Sequence, residues 1–181
     1  MLSDRDILAE IQTKNIFISP FDKKNLLPAS YLVHLDSLFG LPKKGKIDLQ
    51  KIKDFSKFFE EKELDKFVLK PGSFVLVRTL EKVAISQKIG AFVNGKSTLS
   101  RLGVSVHQTA TLVHPGHGVP TPRKIVLEVK NDGPFELYLT PGLPFAELIF
   151  FELRNPAEEP YDLKGIYGKK ENLDRLIPFK E

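Results

Sequence analysis

From Phe67 onward, the sequence consists of short runs rich in β-branched and aromatic residues, separated by turn-forming residues. Pro71-Gly72, Asn131-Asp132-Gly133-Pro134 and Pro141-Gly142 are such breaks. Many short strands at close spacing favour a sandwich or barrel over alternating strand–helix units, so we expect an all-β domain. The predicted strands are Phe67–Leu69, Phe74–Thr79, Val83–Ile85, Ile89–Val93, Gly103–Val106, Lys124–Val129, Phe135–Leu139 and Phe145–Leu153.

The first part of the chain contains two segments with helical spacing. Ser3 precedes Asp6 by three residues, which is the pattern of a capping box, and apolar residues that share one face follow. This predicts a short helix over residues 3–13. Phenylalanines at helical spacing predict a second helix over residues 54–65.

Composition favours a single soluble cytoplasmic domain. The chain has 181 residues, the size of one ordinary domain, and no cysteine, which excludes disulfides and cysteine-ligated metal sites and suits a reducing compartment. No apolar run approaches the roughly 20 residues that a membrane helix needs. The first residues are too polar for a signal peptide.

The charge distribution points to a small anionic ligand rather than to a nucleic acid. The net charge is +4, from 27 basic and 23 acidic residues. The densest basic stretch, Lys43 to Lys53, lacks interleaved aromatic residues on which bases would stack. We therefore expect neither nucleic acid nor membrane as a partner.

Residues 90–97, Gly-Ala-Phe-Val-Asn-Gly-Lys-Ser, match the P-loop pattern G-x-x-x-x-G-K-[ST] letter for letter. A P-loop needs a flexible loop between a strand and a long helix, but Phe92 and Val93 are strand-forming residues. The helical stretch that follows ends at Gly103, where a helix stop is expected. We therefore do not predict a P-loop, although the buried-looking strand from Leu148 to Glu152 could imitate its second motif.

The same segment, Gly95 to Gly103, resembles the G-[RK]-S-[ST]-x-x-R-x-G motif of dCTP deaminases and their dUTPase relatives. The resemblance implies a distorted jelly-roll or β-sandwich of the dUTPase-like type with short helices, assembled as a homotrimer. It implies one domain over residues 1–181, with residues 155–181 as a C-terminal lid tail. Further segments that resemble the family, in its order, are Met1 to Ile7, Leu69 to Glu81, Val106 to Ala110, Ile125 to Val129, Leu139 to Gly142 and Pro160-Tyr161.

Glu128 is the predicted catalytic carboxylate. It stands in the apolar run from Ile125 to Val129, where burial would raise its pKa and suit it to proton transfer near neutral pH. The alternative is that Glu128 simply points outward from an antiparallel strand. The resemblance favours the catalytic role, and it places Ser97 close to the chemistry and Arg101 near the carboxylate.

The resemblance also supplies substrate-binding residues. A triphosphate suits cationic and hydroxyl donors at the start of a helix, where Lys96 and Thr98 stand beside Ser97; for Lys96 and Arg101, ordinary surface ion pairing is the alternative. In the tail, aromatic and basic side chains, Tyr167 among them, would cover the base and neutralise phosphates. The other predicted substrate-binding residues are His107, Gln108, Thr109, Val126, Tyr161, Lys169 and Lys170.

The chain cannot build the zinc site of other deaminases, which needs an H-x-E…P-C-x-x-C signature. The resemblance implies Mg²⁺ accompanying the triphosphate as the only metal. His114 and His117 flank a Pro-Gly turn, but no third ligand is indicated, so we predict no metal site in the protein itself.

The sequence departs from the family at several positions. His114 stands where the family usually has an aspartate, which helps to activate the attacking water in dUTPase relatives. Leu32 and His34 replace an aspartate and an arginine, and Ile166 stands where a phosphate-binding lysine is common. We expect hydrolytic deamination of dCTP to dUTP and ammonia, supplying dUTP for dUMP and dTTP synthesis. The alternatives are a dUTPase, a bifunctional enzyme that forms dUMP, and a nucleotide-binding relative without catalysis.

Overall fold

The computed structural model describes residues 1–51, 54–165 and 176, in which two antiparallel sheets pack on a shared apolar core. The strands are β1 Ile16–Ser19, β2 Leu26–Leu27, β3 Ser30–His34, β4 Leu38–Pro42, β5 Phe59–Glu63, β6 Phe67–Leu69, β7 Phe74–Ile85, β8 Ile89–Gly95, β9 Val104–Ser105, β10 Leu112–Val113, β11 Arg123–Asn131, β12 Leu137–Leu139 and β13 Pro144–Glu152. One sheet has the order β5-β4-β7-β11-β9, with β1 also paired to β7, and the other has the order β10-β8-β13-β3-β2. A small third sheet pairs β12 with β6.

Within the described ranges, three short α-helices accompany the strands: α1 Asp4–Gln12, α2 Ser97–Arg101 and α3 Tyr161–Lys164. The predicted capping box at the start of α1 is confirmed, because the Ser3 side chain accepts from the Asp6 backbone and the Asp6 carboxylate accepts from the Ser3 backbone. The Asp6 carboxylate accepts from both the Ser3 backbone N–H and the Ser3 hydroxyl, and these two hydrogen bonds lower the pKa of its carboxyl. None of the helices in the described residues has the length and apolar character needed to cross a lipid bilayer.

The all-β prediction is confirmed, but the described residues form more strands than predicted, and several strand bounds differ. β7 runs without a break through both Phe74–Thr79 and Val83–Ile85, and β1 to β4 were not predicted. In β11 the burial alternates strictly along the strand, so Ile125, Leu127 and Val129 face the core while the residues between them face outward. This alternation fixes the position of the outward-facing side chains that matter for the site.

The predicted helix over residues 54–65 is wrong. The segment forms one 3-10 turn, Ser56–Phe58, and then β5, which pairs antiparallel with β4. The spacing of the phenylalanines serves tertiary packing, because Phe55 and Phe59 both pack against the buried pair Leu76 and Leu176. Tertiary packing therefore overrides the local pattern, and charged side chains occupy the exposed edge strand β5.

A small apolar cluster, which we call the outer cluster, covers part of the outward face of the larger sheet. Its buried members are Leu76 and Leu176, which are 7% and 1% exposed. Leu176 approaches Gly40 so closely that a Cβ there would lie 3.2 Å from its Cδ1 atom. The partly buried residues packed against them are Leu38, Phe55, Phe59, Phe74 and Val126.

Candidate active site

The segment that matches the P-loop pattern lies in a strand for most of its length. β8 ends at Gly95 and pairs antiparallel with β13 along its whole length, with Phe92 opposite Ile149. A strand locked into a sheet cannot wrap its N–H groups around a phosphate, and α2 beyond it has only five residues. The expectation that this segment is not a P-loop is confirmed.

Four side chains predicted to act on the nucleotide, two as triphosphate ligands and two near the chemistry, lie on α2 or directly before it. Ser97, Thr98 and Arg101 are exposed, and Lys96 is half-buried at the position before the helix. Within the described part of the chain, none of these four side chains takes part in a hydrogen bond or ion pair. Because α2 is so short, an anion here would be bound by these side chains more than by the helix dipole.

Gly103 seats the end of α2 on the turn that follows β11. Its φ is +81°, and a Cβ on it would lie 2.5 Å from the Cα of Gly133. The Asp132 N–H also donates to the Gly103 carbonyl at 2.7 Å. Glu128 precedes Asp132 by four residues, so this contact lies roughly 13 Å of extended chain from Glu128.

Glu128 lies on the outward face of β11, opposite Leu76 of β7, and is half-buried. Burial raises the pKa of its carboxyl, and hydrogen bonds from its own backbone and from that of Gln108 partly oppose the rise. It forms no ion pair with any described residue. The outward orientation is thus combined with desolvation, a combination that suits a carboxylate for taking up and releasing a proton.

The loop after β9 lies against Glu128. The Gln108 side-chain amide donates to Ser105 Oγ at 3.2 Å and weakly to the Glu128 carbonyl at 3.4 Å. Thr109 follows in the same loop and is exposed. His107 is half-buried, and its Nδ1 atom finds no hydrogen-bond partner among the described residues. The structure therefore brings this predicted loop to the predicted carboxylate.

The other predicted site residues are placed less closely together. Val126 shares the outward face with Glu128 and packs on the outer cluster. No hydrogen bond or ion pair within the described residues joins Glu128 to Lys96, Ser97, Thr98 or Arg101. Tyr161 lies elsewhere, at the root of the tail. Three residues of the predicted lid, Tyr167, Lys169 and Lys170, lie outside the described residues.

The first part of the predicted tail is attached to the body of the protein. The Ala157 N–H donates to the Gln87 carbonyl at 2.8 Å, and the Gln87 side chain donates to the Ala157 and Glu158 carbonyls at 3.0 and 3.1 Å. Further on, Asp162 forms an ion pair with the buried Arg123 and accepts from the Gly118 N–H at 3.1 Å. We call residues 160–163 the tail root.

Sequence analysis missed the charged group beneath the tail root. Burial raises the pKa of the Asp162 carboxyl and lowers that of the Arg123 guanidinium, while their mutual attraction opposes both shifts. His117 Nδ1 accepts from Arg123 Nη2 at 3.2 Å, and burial lowers the pKa of His117 to about 3. Arg123 and Asp162 are 39 positions apart in the sequence, so no local sequence pattern joins them. The one sequence feature that indicates this group is an arginine at the start of an apolar strand.

The histidines of the Pro-Gly turn do not form a metal site. The His114 ring stacks on Tyr161, and His117 bonds to Arg123 as described. In the part of the chain that the structure describes, no three His, Asp or Glu side chains are grouped as metal ligands would be.

The fold belongs to the dCTP deaminase class of β-sandwich proteins. The solved structure of the 2'-deoxycytidine 5'-triphosphate deaminase from Agrobacterium tumefaciens superposes on 82% of this chain with a TM-score of 0.62. The sequence identity is 22%, so this likeness concerns the fold alone, and the chain spans 45% of that protein.

The sequence comparisons define the family. The profile described as dCTP deaminase-like matches residues 1–153, and the chain therefore belongs to the dCTP deaminase-like family. A curated relative from Mycolicibacterium gilvum, named dCTP deaminase, dUMP-forming, is 38% identical and spans 99% of this chain and 95% of its own length. A relative of the same name from Mycolicibacterium vanbaalenii is 37% identical, with 93% of this chain and 89% of the relative covered.

Proposed function

We propose that the protein is a bifunctional enzyme that deaminates dCTP without zinc and cleaves the product to dUMP and pyrophosphate. Deamination rests on one observation above all: Glu128 is a half-buried carboxylate with a raised pKa and no ionic partner among the described residues, and it shares a face with Val126. The second step rests on the relatives' shared name, which gives dUMP as the product. Their name supports this alternative over dUTP as the final product.

In the proposed deamination, Glu128 as a carboxylate takes a proton from water, and the hydroxide formed attacks C4 of the cytosine ring. Glu128 gives this proton to N3, then takes a second proton from the new C4 hydroxyl and passes it to the amine, so ammonia leaves, a C4 carbonyl forms and dUTP remains. One carboxylate can serve these transfers in turn, and the raised pKa of Glu128 makes its protonated form easier to reach than that of an exposed glutamate. Ser97 and Arg101 would orient the reacting groups.

Lys96, Thr98 and the tail lysines Lys169 and Lys170 would bind the triphosphate in this proposal. His107, Gln108, Thr109, Val126 and Tyr161 remain the other predicted contacts to the nucleotide. A magnesium ion accompanying the phosphates would be held largely by phosphate oxygens and water, as is usual for Mg²⁺. We further propose a cytoplasmic homotrimer.

The decisive experiment measures ammonia and pyrophosphate separately, with dCTP and with dUTP as substrates. We expect both products from dCTP and pyrophosphate from dUTP. Glu128→Gln should lose at least about 10³-fold in ammonia release, because general acid–base catalysis typically contributes about 10²–10⁴-fold and one group here serves several transfers. Affinity for dCTP, measured by calorimetry, should be retained.

Glu136→Gln is the matched control, since Glu136 is exposed and lies outside the site. It should release ammonia at the wild-type rate. Ammonia release by Glu128→Gln at a near wild-type rate would remove Glu128 from the mechanism. Ammonia without pyrophosphate would indicate a deaminase that stops at dUTP, and pyrophosphate from dUTP alone would indicate a dUTPase. Binding without either product would indicate a nucleotide-binding protein.

A further inference from the structure

The position where the family usually has an aspartate carries a histidine that contacts the tail root. The His114 and Tyr161 rings are nearly parallel, with centroids 5.0 Å apart and an interplanar angle of 6°. The backbone of Tyr161 is fixed to the same turn, because its N–H donates to the Pro115 carbonyl at 2.9 Å. A Cβ on Gly116 would collide with Pro160, so the turn and the tail root are in direct backbone contact.

A second set of contacts holds the next residue of the tail root. Asp162 forms its ion pair with Arg123, the first residue of β11, and accepts from the Gly118 N–H at 3.1 Å. The Arg123 guanidinium also lies 5.9 Å from the centre of the Tyr161 ring. The tail root is therefore fastened at two successive residues, and one of its partners begins the strand that carries Glu128.

These contacts matter for any ligand that the tail binds. Lys169 and Lys170 follow Asp162 by seven and eight residues. A chain spans at most about 3.3–3.6 Å per residue, so each of these lysines can reach a phosphate only if it lies within about 25–30 Å of Asp162. Holding the root in one place also lowers the entropy lost when the tail engages a ligand.

We propose that His114 is a positioning residue that seats the tail root by stacking on Tyr161, and that the reaction needs its ring and not its nitrogen atoms. This inference rests on the proposed function for its kinetic part only. A ring stacked by its face can be replaced by another aromatic ring of similar shape. An aspartate, the usual family residue, has no ring and cannot stack on Tyr161.

The test compares His114→Phe, His114→Ala and His114→Asp. The first readout needs no substrate: hydrogen exchange of the Tyr161 and Gly118 amides, both of which bond within the tail-root contacts. We expect wild-type protection in His114→Phe, and exchange about 2- to 10-fold faster in His114→Ala and His114→Asp, as the loss of one aromatic stack implies. Asp162→Asn, which removes the charge that pairs with Arg123, is the control that shows a released root.

The second readout is the kinetics of ammonia and pyrophosphate release from dCTP. His114→Phe should keep both rates near wild type. His114→Ala and His114→Asp should raise KM about 2- to 10-fold with little change in kcat, since binding is weakened and the chemical step is not. Loss of pyrophosphate release in His114→Phe with unchanged amide exchange would make His114 a base and overturn the proposal. Unchanged exchange and KM in His114→Ala would also overturn it, and the exchange result holds even if the enzyme has another substrate.

Discussion

Burial shifts the pKa values of two side chains near β11 in opposite directions, because it disfavours the charged form of each. Glu128 becomes a weaker acid, which a carboxylate that exchanges protons with water requires. His117 becomes a much weaker base, with a pKa of about 3, so it stays neutral and accepts a hydrogen bond from Arg123. The first shift serves the proposed chemistry, and the second keeps a positive charge away from a buried arginine.

The neutral state of His117 predicts a loss of stability in acid. Its pKa is near 6.5 in the unfolded chain and about 3 in the folded one, so between these values the unfolded state binds one more proton. The free energy of unfolding should therefore fall as pH decreases from about 6.5 toward 3, by up to about 1.4 kcal/mol per pH unit from this group. His117→Asn, whose amide oxygen can still accept from Arg123, should show a shallower dependence in urea unfolding between pH 4 and 7.5. Parallel curves for the two proteins would contradict this.

Glu128 and its companions could be predicted from sequence because each belongs to a contiguous segment with a recognisable pattern. The contact between Glu128 and Gln108 joins two such segments and follows from their strand pairing. Arg123, Asp162 and His117 could not be predicted in this way, because what makes them a group is their burial together. The separation of the α2 donors from Glu128 was also not visible in the sequence.

At the scale of elements, β8 and β5 show two different limits of local pattern. In β8, the residues that match the P-loop pattern also have strand propensity. The strand-forming residues Phe92 and Val93 predict the strand that the structure shows. Around β5, the helical spacing of the phenylalanines was misleading, because these residues pack on a surface to which another strand contributes. Secondary-structure propensity predicts an element correctly where that element's own residues determine its conformation. It fails where packing against a neighbouring strand determines the conformation.

The contact between the end of α2 and the turn after β11 can be tested with two glycines that both have a left-handed backbone conformation. Gly103 and Gly142 have φ values of +81° and +84°, but only Gly103 is closely approached by another segment. Gly142→Ala should lose about 1–2 kcal/mol of unfolding free energy from backbone strain alone. Gly103→Ala should lose more, and it should also weaken dCTP binding by moving Lys96 and Ser97. Urea unfolding and calorimetric titration measure both effects; equal losses in the two variants, with dCTP affinity unchanged, would show that the contact with Gly133 is unimportant.

For the whole molecule, we predict a homotrimer. Within one chain no described contact joins Glu128 to the donors of α2, and a neighbouring chain could bring a second set of donors to it. Phe92 and Leu112, paired across β8 and β10, remain 44% and 41% exposed on the outer face of the smaller sheet, and association could bury them. Sedimentation velocity at micromolar concentration should give a mass three times 20.5 kDa. A species of 20.5 kDa under these conditions would contradict the prediction.

The position of β13 in the middle of the smaller sheet has a consequence for how the protein is made. β13 lies between β3 and β8, and the Leu2 N–H donates to the Phe150 carbonyl at 2.8 Å. A ribosome adding about 5–20 residues per second needs roughly 5–20 s between β3 and β13. β3 throughout that interval, and β8 from its own synthesis onward, have no partner at the edges that β13 will occupy, and such edges invite pairing between nascent chains. Chaperone demand during synthesis should therefore depend on how quickly translation reaches residue 152.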